Sequence, residues 1–169
     1  MDYAGHFQQE AAAFEAAARQ AAGAEAAPAV PSCPGWVLTD LVLHLGIVHR
    51  WDAENAVGTA RPLDAALAAD AVGQTFEVMA PMRRAVAKAP PGQGERFLFR
   101  RTDGPQTWAV RFDGESVRLD APGEPHDIQI SGTASDLALF LWQRKVADRL
   151  EVQGDTSLLS GYFVLVPPL

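Results

Sequence analysis

Hydrophobic positions recur at helical spacing in the first half of the chain. Residues 1–27 are rich in alanine and carry aromatic residues at helical intervals, which predicts an amphipathic helix. A second helix is predicted over 37–57 and a third over 64–88, where Pro81 should kink or break the helix. The pattern therefore predicts an abbreviated helical bundle of about three helices at 1–90.

Beyond a linker rich in proline and glycine at 90–94, the hydrophobic period changes from helical to two. Asp103 and Asp113 each begin an Asp-Gly pair, which is typical of a tight turn between antiparallel strands. We therefore expect four strands in an antiparallel meander, then a helix, a short strand and a last short helix. The four strands are predicted at 96–100, 107–112, 116–119 and 127–130.

Together the two patterns predict an α+β protein with two domains. We expect the helical domain at 1–90 and a small antiparallel-sheet domain with helices at 95–169. In the third helix, Arg83 and Arg84 are expected to form a solvated corner or to meet a carboxylate.

Composition excludes several classes of partner. The 169 residues are 48% hydrophobic and carry 14 Lys and Arg against 21 Asp and Glu, a net charge of −7. Nucleic acids and anionic membrane surfaces attract clustered positive charge, so neither is expected as a partner. No long apolar run or signal-peptide pattern is present, which predicts a cytoplasmic protein. A single cysteine, Cys33, excludes an intrachain disulfide and a thiolate-rich zinc site.

A proline-rich loop at 31–36 runs into the second helix, which carries a histidine near its start. Asp40 and His44 are four residues apart and therefore share one helix face. A lone histidine on a helix is most often packed or exposed, but one held behind a rigid loop is also a candidate metal ligand. We take His44 as the first candidate ligand.

Three blocks of sequence resemble the mycothiol-dependent maleylpyruvate isomerase family: 30–50, 49–62 and 132–155. The resemblance implies a DinB-like metal-binding helical domain, followed by a C-terminal domain similar to sterol carrier proteins. In the family a long segment separates the two histidine-bearing helices, whereas here His44 and His49 are five residues apart. We interpret this as an internal deletion that removes a helical hairpin.

The resemblance also implies a divalent metal, typically zinc, held by two histidines and a glutamate. His44 and His49 match the histidines, but Leu45 stands where the glutamate is expected. Two residues five apart on a helix point about 140° apart, so one chain cannot easily aim both rings at one ion. A homodimer could bring His44 of one chain near His49 or Asp52 of the other. Asp52, one turn after His49, is either a third ligand or a partner that orients the imidazole.

Two functions follow as hypotheses. The resemblance implies a thiol-linked isomerase or transferase that uses mycothiol as cofactor and acts on a small-molecule substrate, in the family a dicarboxylate that arginines would hold. The alternative is a catalytically inactive binding or dimerisation module with a small apolar pocket. A missing hairpin would leave apolar surface uncovered on the second and third helices, which predicts self-association into a homodimer.

Overall fold

Helices occupy the first half of the chain and a five-stranded sheet with further helices occupies the second, which makes the protein α+β. The computed structural model describes residues 2–22, 24, 26–121 and 123–168. They divide into two compact units, Met1–Gly46 and Ile47–Leu169. The division of the chain into domains at 1–90 and 95–169 stays a prediction. No helix in these described ranges is long and apolar enough to cross a membrane.

The first unit contains two α-helices, which residues 22–37 separate along the chain. Helix α1, Tyr3–Ala21, confirms the predicted first helix and begins where the Asp2 carboxylate accepts a hydrogen bond from the Gly5 amide at 2.9 Å. Helix α2 is Leu38–Leu43, and the Asp40 carboxylate accepts from the Val37 amide at 2.8 Å.

The helices predicted over 37–57 and 64–88 are each built from α-helical and π-helical segments. α2 is followed by a π-helical segment, His44–His49, and then by α3, Arg50–Ala56. α4 is Ala65–Gln74, and after the π-helical Thr75–Met79 comes α5, Ala80–Ala87. Of the kink or break expected at Pro81, the break does not occur, because the wide π turn directly before it accommodates a residue that has no amide proton to donate. The kink stays a prediction.

The sheet has the strand order β3-β2-β1-β4-β5, with β1 and β2 pairing antiparallel and β2 and β3 likewise. The prediction of a four-strand meander is wrong for β4, which lies parallel to β1 instead of pairing with β3. A connection longer than a tight turn separates β3 from β4, so the chain can cross to the other side of β1. The strands are β1 Gly92–Arg101, β2 Thr107–Gly114, β3 Ser116–Asp120, β4 Ile128–Gly132 and β5 Glu151–Gly154.

One face of the sheet forms the core of the second unit. Its aromatic side chains, among them Phe97, Phe99 and Phe112, surround the ring of Tyr162 at centroid distances of 5.5 to 6.0 Å. Tyr162 lies in helix α7, Ser157–Leu165, and α6, Ala134–Leu141, packs on the same unit. The alternate positions of the strands form the opposite face of the sheet and are mostly polar, with Leu98 and Ala109 as apolar exceptions.

Arg83 and Arg84 are buried, with 6% and 2% of their surface exposed, so the prediction of a solvated corner is wrong. Arg84 donates hydrogen bonds to the carbonyl oxygens of Leu165 at 2.7 Å, Gly114 at 2.7 Å and Pro90 at 3.2 Å. Arg83 stacks on Trp142, with its guanidinium carbon 4.2 Å from the ring centroid. The sequence suggested water or a carboxylate as the partner of these two arginines. The structure instead gives Arg84 main-chain carbonyls and Arg83 an indole ring.

Candidate ligand-binding cleft

A cleft of about 570 Å³ lies in the second unit, between α3, the loop that follows it and the segment after α6. Trp51 and Asn55 of α3 form one side. The other sides carry four cations, and Asp148 is the acidic residue among the lining. The cations are Arg61, Arg144, Lys145 and Arg149.

Arg144 is positioned by a sharp turn of the chain where α6 ends. Gln143 adopts a left-handed conformation with φ of 56°, and the Arg144 amide then donates to the Leu139 carbonyl at 2.8 Å. The Arg144 Nη1 donates to the Trp142 carbonyl at 2.8 Å. These bonds fix the guanidinium at the edge of the cleft with its remaining donors directed towards α3.

The Arg144 guanidinium holds the Asp52 carboxylate in a two-pronged ion pair. Arg144 Nε donates to Asp52 Oδ1 at 3.0 Å and Nη2 donates to Oδ2 at 2.8 Å. His49 Nδ1 lies 3.3 Å from the same Oδ2. The hydrogen bond from Arg144, followed by smaller effects of its charge and of His49, holds the pKa of Asp52 below its usual value. Asp52 is therefore a carboxylate across the physiological pH range.

The structure brings two of the three predicted metal ligands together, since His49 and Asp52 are neighbours in the second unit. His44 belongs to the first unit, where its half-buried ring meets Trp36 edge-on at a centroid distance of 5.4 Å. Within the described part of the chain, no three His, Cys, Asp or Glu side chains are grouped so that they could share an ion. Metal binding by His44, His49 and Asp52 stays a prediction.

The other cleft cations differ in how far their charge is compensated. Arg61 pairs with Glu54 at 2.7 Å, and its hydrogen bonds lower the pKa of that carboxyl to about 2. Lys145 pairs with Asp136 at 3.0 Å. Arg149 forms no salt bridge with any residue that the structure describes. The cleft therefore retains positive charge, although the chain as a whole is acidic.

A buried cation lies behind this wall of the cleft. Arg83 stacks on Trp142, whose carbonyl is bound by Arg144, and the Arg83 Nε has no hydrogen-bond partner in the ranges described above. Burial lowers the pKa of Arg83, and the charge of Arg144 lowers it further. Even so, an arginine remains protonated in proteins. Its charge adds to the positive potential on the cleft.

The model of the MDMPI C-terminal domain, named for the isomerase family of the resemblance, matches residues 66–161. The chain belongs to the MDMPI C-terminal domain family. The match runs from α4 into α7 and includes Arg144, Lys145 and Arg149 of the cleft. Asp52 and Arg61 lie before the matched region, so the MDMPI domain supplies only part of the cleft.

Three solved structures that this MDMPI family member resembles are distant likenesses. All three described here have low identities and low TM-scores, so the sterol-carrier-like fold of the C-terminal part stays a prediction. No curated protein shows a significant match. One is a UbiJ-SCP2 ubiquinone synthesis protein, with 17% identity and a TM-score of 0.36 over 60% of this chain and 90% of that chain. The second is sterol carrier protein 2 from Yarrowia lipolytica, with 14% identity and a TM-score of 0.35 over 57% of this chain and 91% of that chain. The third is sterol carrier protein 2 like 2 from Aedes aegypti, with 19% identity and a TM-score of 0.38 over 57% of this chain and 96% of that chain.

Sequence reasoning missed the cleft itself. It placed Asp52 correctly beside His49, because residues three apart share a helix face. It gave no partner to Arg144, which lies 92 positions from Asp52. The sequence signal that was available is the cluster of three cations within 144–149, directly after a strongly apolar helix.

Proposed function

We propose that the chain is a binding protein of the MDMPI family that holds a small dicarboxylate in the basic cleft. The observation that carries the proposal is the set of four cations around a cleft of about 570 Å³ with Asp148 as its acidic lining residue. That volume lies within the range of roughly 300 to 1,000 Å³ found for small-molecule sites. The family resemblance, which implies a dicarboxylate substrate, supports the same ligand class.

Arg144 and Arg149 are the residues to which we assign the two carboxylates. Arg144 already presents a fork that binds a carboxylate with two hydrogen bonds, at 2.8 and 3.0 Å to Asp52. A ligand carboxylate can compete for that fork, because the Arg144 side chain is 30% and the Asp52 side chain 34% exposed. Arg149 has no salt bridge to a described residue and is available for the second carboxylate.

A second candidate function is that of a thiol-linked, metal-dependent isomerase or transferase with mycothiol as cofactor. Family membership and the contact between His49 and Asp52, at 3.3 Å, favour it. A bound zinc ion would hold a thiol as thiolate. The described residues contain no group of three ligands, and Asp52 is engaged by Arg144, so we derive no catalytic step through a metal.

Isothermal titration calorimetry with maleate and fumarate tests the first candidate. We expect the parent chain to bind at least one of them and not the corresponding uncharged diamide. Arg144→Gln and Arg149→Gln should each weaken binding about tenfold or more, because each removes a charge-assisted hydrogen bond. Arg19→Gln is the matched control, since Arg19 is an exposed arginine that is paired with Glu15 in the first unit.

The outcomes separate the proposal from simple charge attraction. If Arg19→Gln weakens binding as much as the cleft variants, the dicarboxylate responds to overall charge and the cleft is not its site. If neither dicarboxylate binds the parent chain at millimolar concentration, the proposal is wrong.

A further inference from the structure

A second cavity, of about 420 Å³, lies over the polar face of the sheet. Its floor is built from alternate residues of β1, β4 and β5, and the hairpin between β1 and β2 forms one wall. The floor side chains are polar or charged throughout. They are Arg100, Gln129, Ser131, Glu151 and Gln153.

Arg100, Ser131 and Glu151 form one row across three neighbouring strands. Arg100 is opposite Ser131 in the parallel pair of β1 and β4, and Ser131 is opposite Glu151 in the antiparallel pair of β4 and β5. Neighbouring strands lie about 4.8 Å apart, so the backbones at Arg100 and Glu151 are roughly 10 Å apart. The row therefore places a cation and an anion at its two ends, with a hydroxyl between them.

The charges at both ends of the row are available to a ligand. Arg100 is exposed and forms no salt bridge with a residue in the described ranges. Glu151 Oε1 accepts a hydrogen bond at 2.6 Å from the amide of Gln153, which is neutral and leaves the negative charge in place. The Ser131 hydroxyl accepts from Gln129 Nε2 at 3.1 Å and retains its own proton to donate.

The hairpin wall is held in place from below by Arg101, which is 7% exposed. Arg101 Nε donates to Asp103 Oδ1 at 2.9 Å and Nη1 donates to Gln106 Oε1 at 2.9 Å. Asp103 Oδ1 also accepts from the amide of Ala134, the first residue of α6, at 3.0 Å. A Cβ on Gly104 would lie 2.5 Å from the Arg101 guanidinium carbon, so the wall packs closely on it. A wall fixed in this way lowers the ordering cost of binding.

We propose that this cavity binds a small zwitterion, either a free α-amino acid or a dipeptide. Arg100 would hold the carboxylate and Glu151 the ammonium group. Both side chains rise from the same face of the sheet, so one small ligand can meet the cation and the anion at once. A simple anion would meet the Glu151 carboxylate, and an apolar ligand would leave the polar floor unpaired. The site is separate from the basic cleft and does not depend on the function proposed there.

Calorimetry on the full chain tests the proposal with L-glutamine and glycylglycine as probes. We expect at least one to bind, and we expect N-acetyl-L-glutamine and L-glutaminamide, which each lack one of the two charges, to bind at least tenfold more weakly. Arg100→Gln and Glu151→Gln should each weaken zwitterion binding by a similar factor. Arg118→Gln is the matched control, because Arg118 is exposed in β3 and does not line the cavity.

Three outcomes would overturn the proposal. Neither zwitterion binds the parent chain, or the acetylated compound binds as tightly as L-glutamine, or Arg118→Gln weakens binding as much as Arg100→Gln. Both cavity residues are exposed, so their variants are expected to keep the thermal unfolding midpoint of the parent. Binding of maleate in the basic cleft provides an internal check, since the Arg100 and Glu151 variants should leave it unchanged.

Discussion

The Asp52 carboxylate contacts two side chains, the imidazole of His49 and the guanidinium of Arg144. Its Oδ2 is 2.8 Å from Arg144 Nη2 and 3.3 Å from His49 Nδ1. All three side chains are about a third or more exposed, so the ion pair contributes only about 0.2 to 1 kcal/mol to stability. A pair this weak can be exchanged for a metal ion or for a ligand carboxylate without unfolding the chain.

Zinc content tests the predicted ligands residue by residue. If the metal-dependent candidate is right, protein purified without chelator or an affinity-tag metal should contain about one zinc per chain or per dimer by plasma mass spectrometry, and His44→Ala should lose it. If Asp52 is a ligand, Arg144→Gln should tighten zinc binding, because it frees the carboxylate from its competitor. If Asp52 only orients His49, Arg144→Gln should leave zinc affinity unchanged.

His6→Ala is the control for this measurement, since His6 is a histidine of α1 that fits no ligand spacing. A parent protein without zinc would remove the metal-dependent candidate and leave the binding function alone. Loss of zinc in His6→Ala to the same extent would mean that the metal binds at surface histidines.

Contacts between residues close in the chain could be predicted from the sequence, whereas contacts between distant residues could not. The contact of His49 with Asp52 follows from a spacing of three on a helix. The pair of Asp52 with Arg144 joins α3 to the segment after α6, and no local rule connects residues that far apart in the chain. The same limit applies to Arg100, Ser131 and Glu151, because their row depends on β4 lying beside β1.

At the scale of elements, α5 carries two buried arginines with opposite consequences for stability. Arg84 satisfies the carbonyls of Leu165, Pro90 and Gly114, and so joins the end of α7, the linker before β1 and the end of β2. Arg83 makes a cation–π contact with Trp142, and in the described part of the chain neither the Arg83 Nε nor the Arg84 Nε has a hydrogen-bond partner. Burying a cation costs free energy, and the three carbonyl acceptors of Arg84 offset more of that cost than the ring contact of Arg83 does.

Urea unfolding of Arg84→Met and Arg83→Met tests this contrast. We expect Arg84→Met to lower the free energy of unfolding by about 3 kcal/mol or more, because it leaves buried carbonyls unsatisfied. Arg83→Met should cost less than about 1 kcal/mol, since the lost ring contact is offset by relief from burying a charge. Equal costs for the two variants would show that bulk, and not hydrogen bonding, determines the role of these arginines.

The elements themselves were largely predictable, and their arrangement was predictable only in part. The period-two pattern located all four predicted strands, and the Asp113-Gly114 turn correctly joined β2 to β3 as a hairpin. Strand order was not determined by the sequence, because the connection between β3 and β4 covers residues 121–127 and is longer than the tight turn that would fix β4 beside β3. Burial of Arg83 and Arg84 was missed for a related reason, because the ring that Arg83 contacts and the carbonyls that Arg84 binds lie in other parts of the chain.

At the scale of the whole molecule, total charge gave an incomplete picture of the surface. The chain carries a net charge of −7, yet the basic cleft concentrates four cations at one place in the second unit. The expectation that nucleic acid is not a partner rests on the total charge and stays a prediction. A small anionic ligand requires only the local field, so an acidic protein can still bind it.

Uncovered apolar surface predicts self-association of the whole chain, as the missing hairpin suggested. Val57, Leu67 and Val86, in or directly after the predicted second and third helices, are 73%, 47% and 64% exposed. Helix α1 buries none of its residues, and Tyr3 and Phe7 are each 75% exposed on it. A soluble monomer seldom leaves apolar residues of one helix uncovered to this extent, so we expect a second copy of the chain to cover α1.

Light scattering after size exclusion, at micromolar concentration, tests this expectation. The parent chain should elute as a homodimer. Phe7→Ser should raise the dimer dissociation constant by about a hundredfold or more, because a symmetric dimer loses two buried aromatic side chains at roughly 1.5 to 3 kcal/mol each. Val164→Ser, which removes a residue that is 58% exposed in α7 of the second unit, is the control and should leave the dimer intact, whereas Val57→Ser should weaken the dimer only if the interface includes the surface after α3. A monomeric parent chain would contradict self-association, and a dimer that only Val57→Ser weakens would place the interface away from α1.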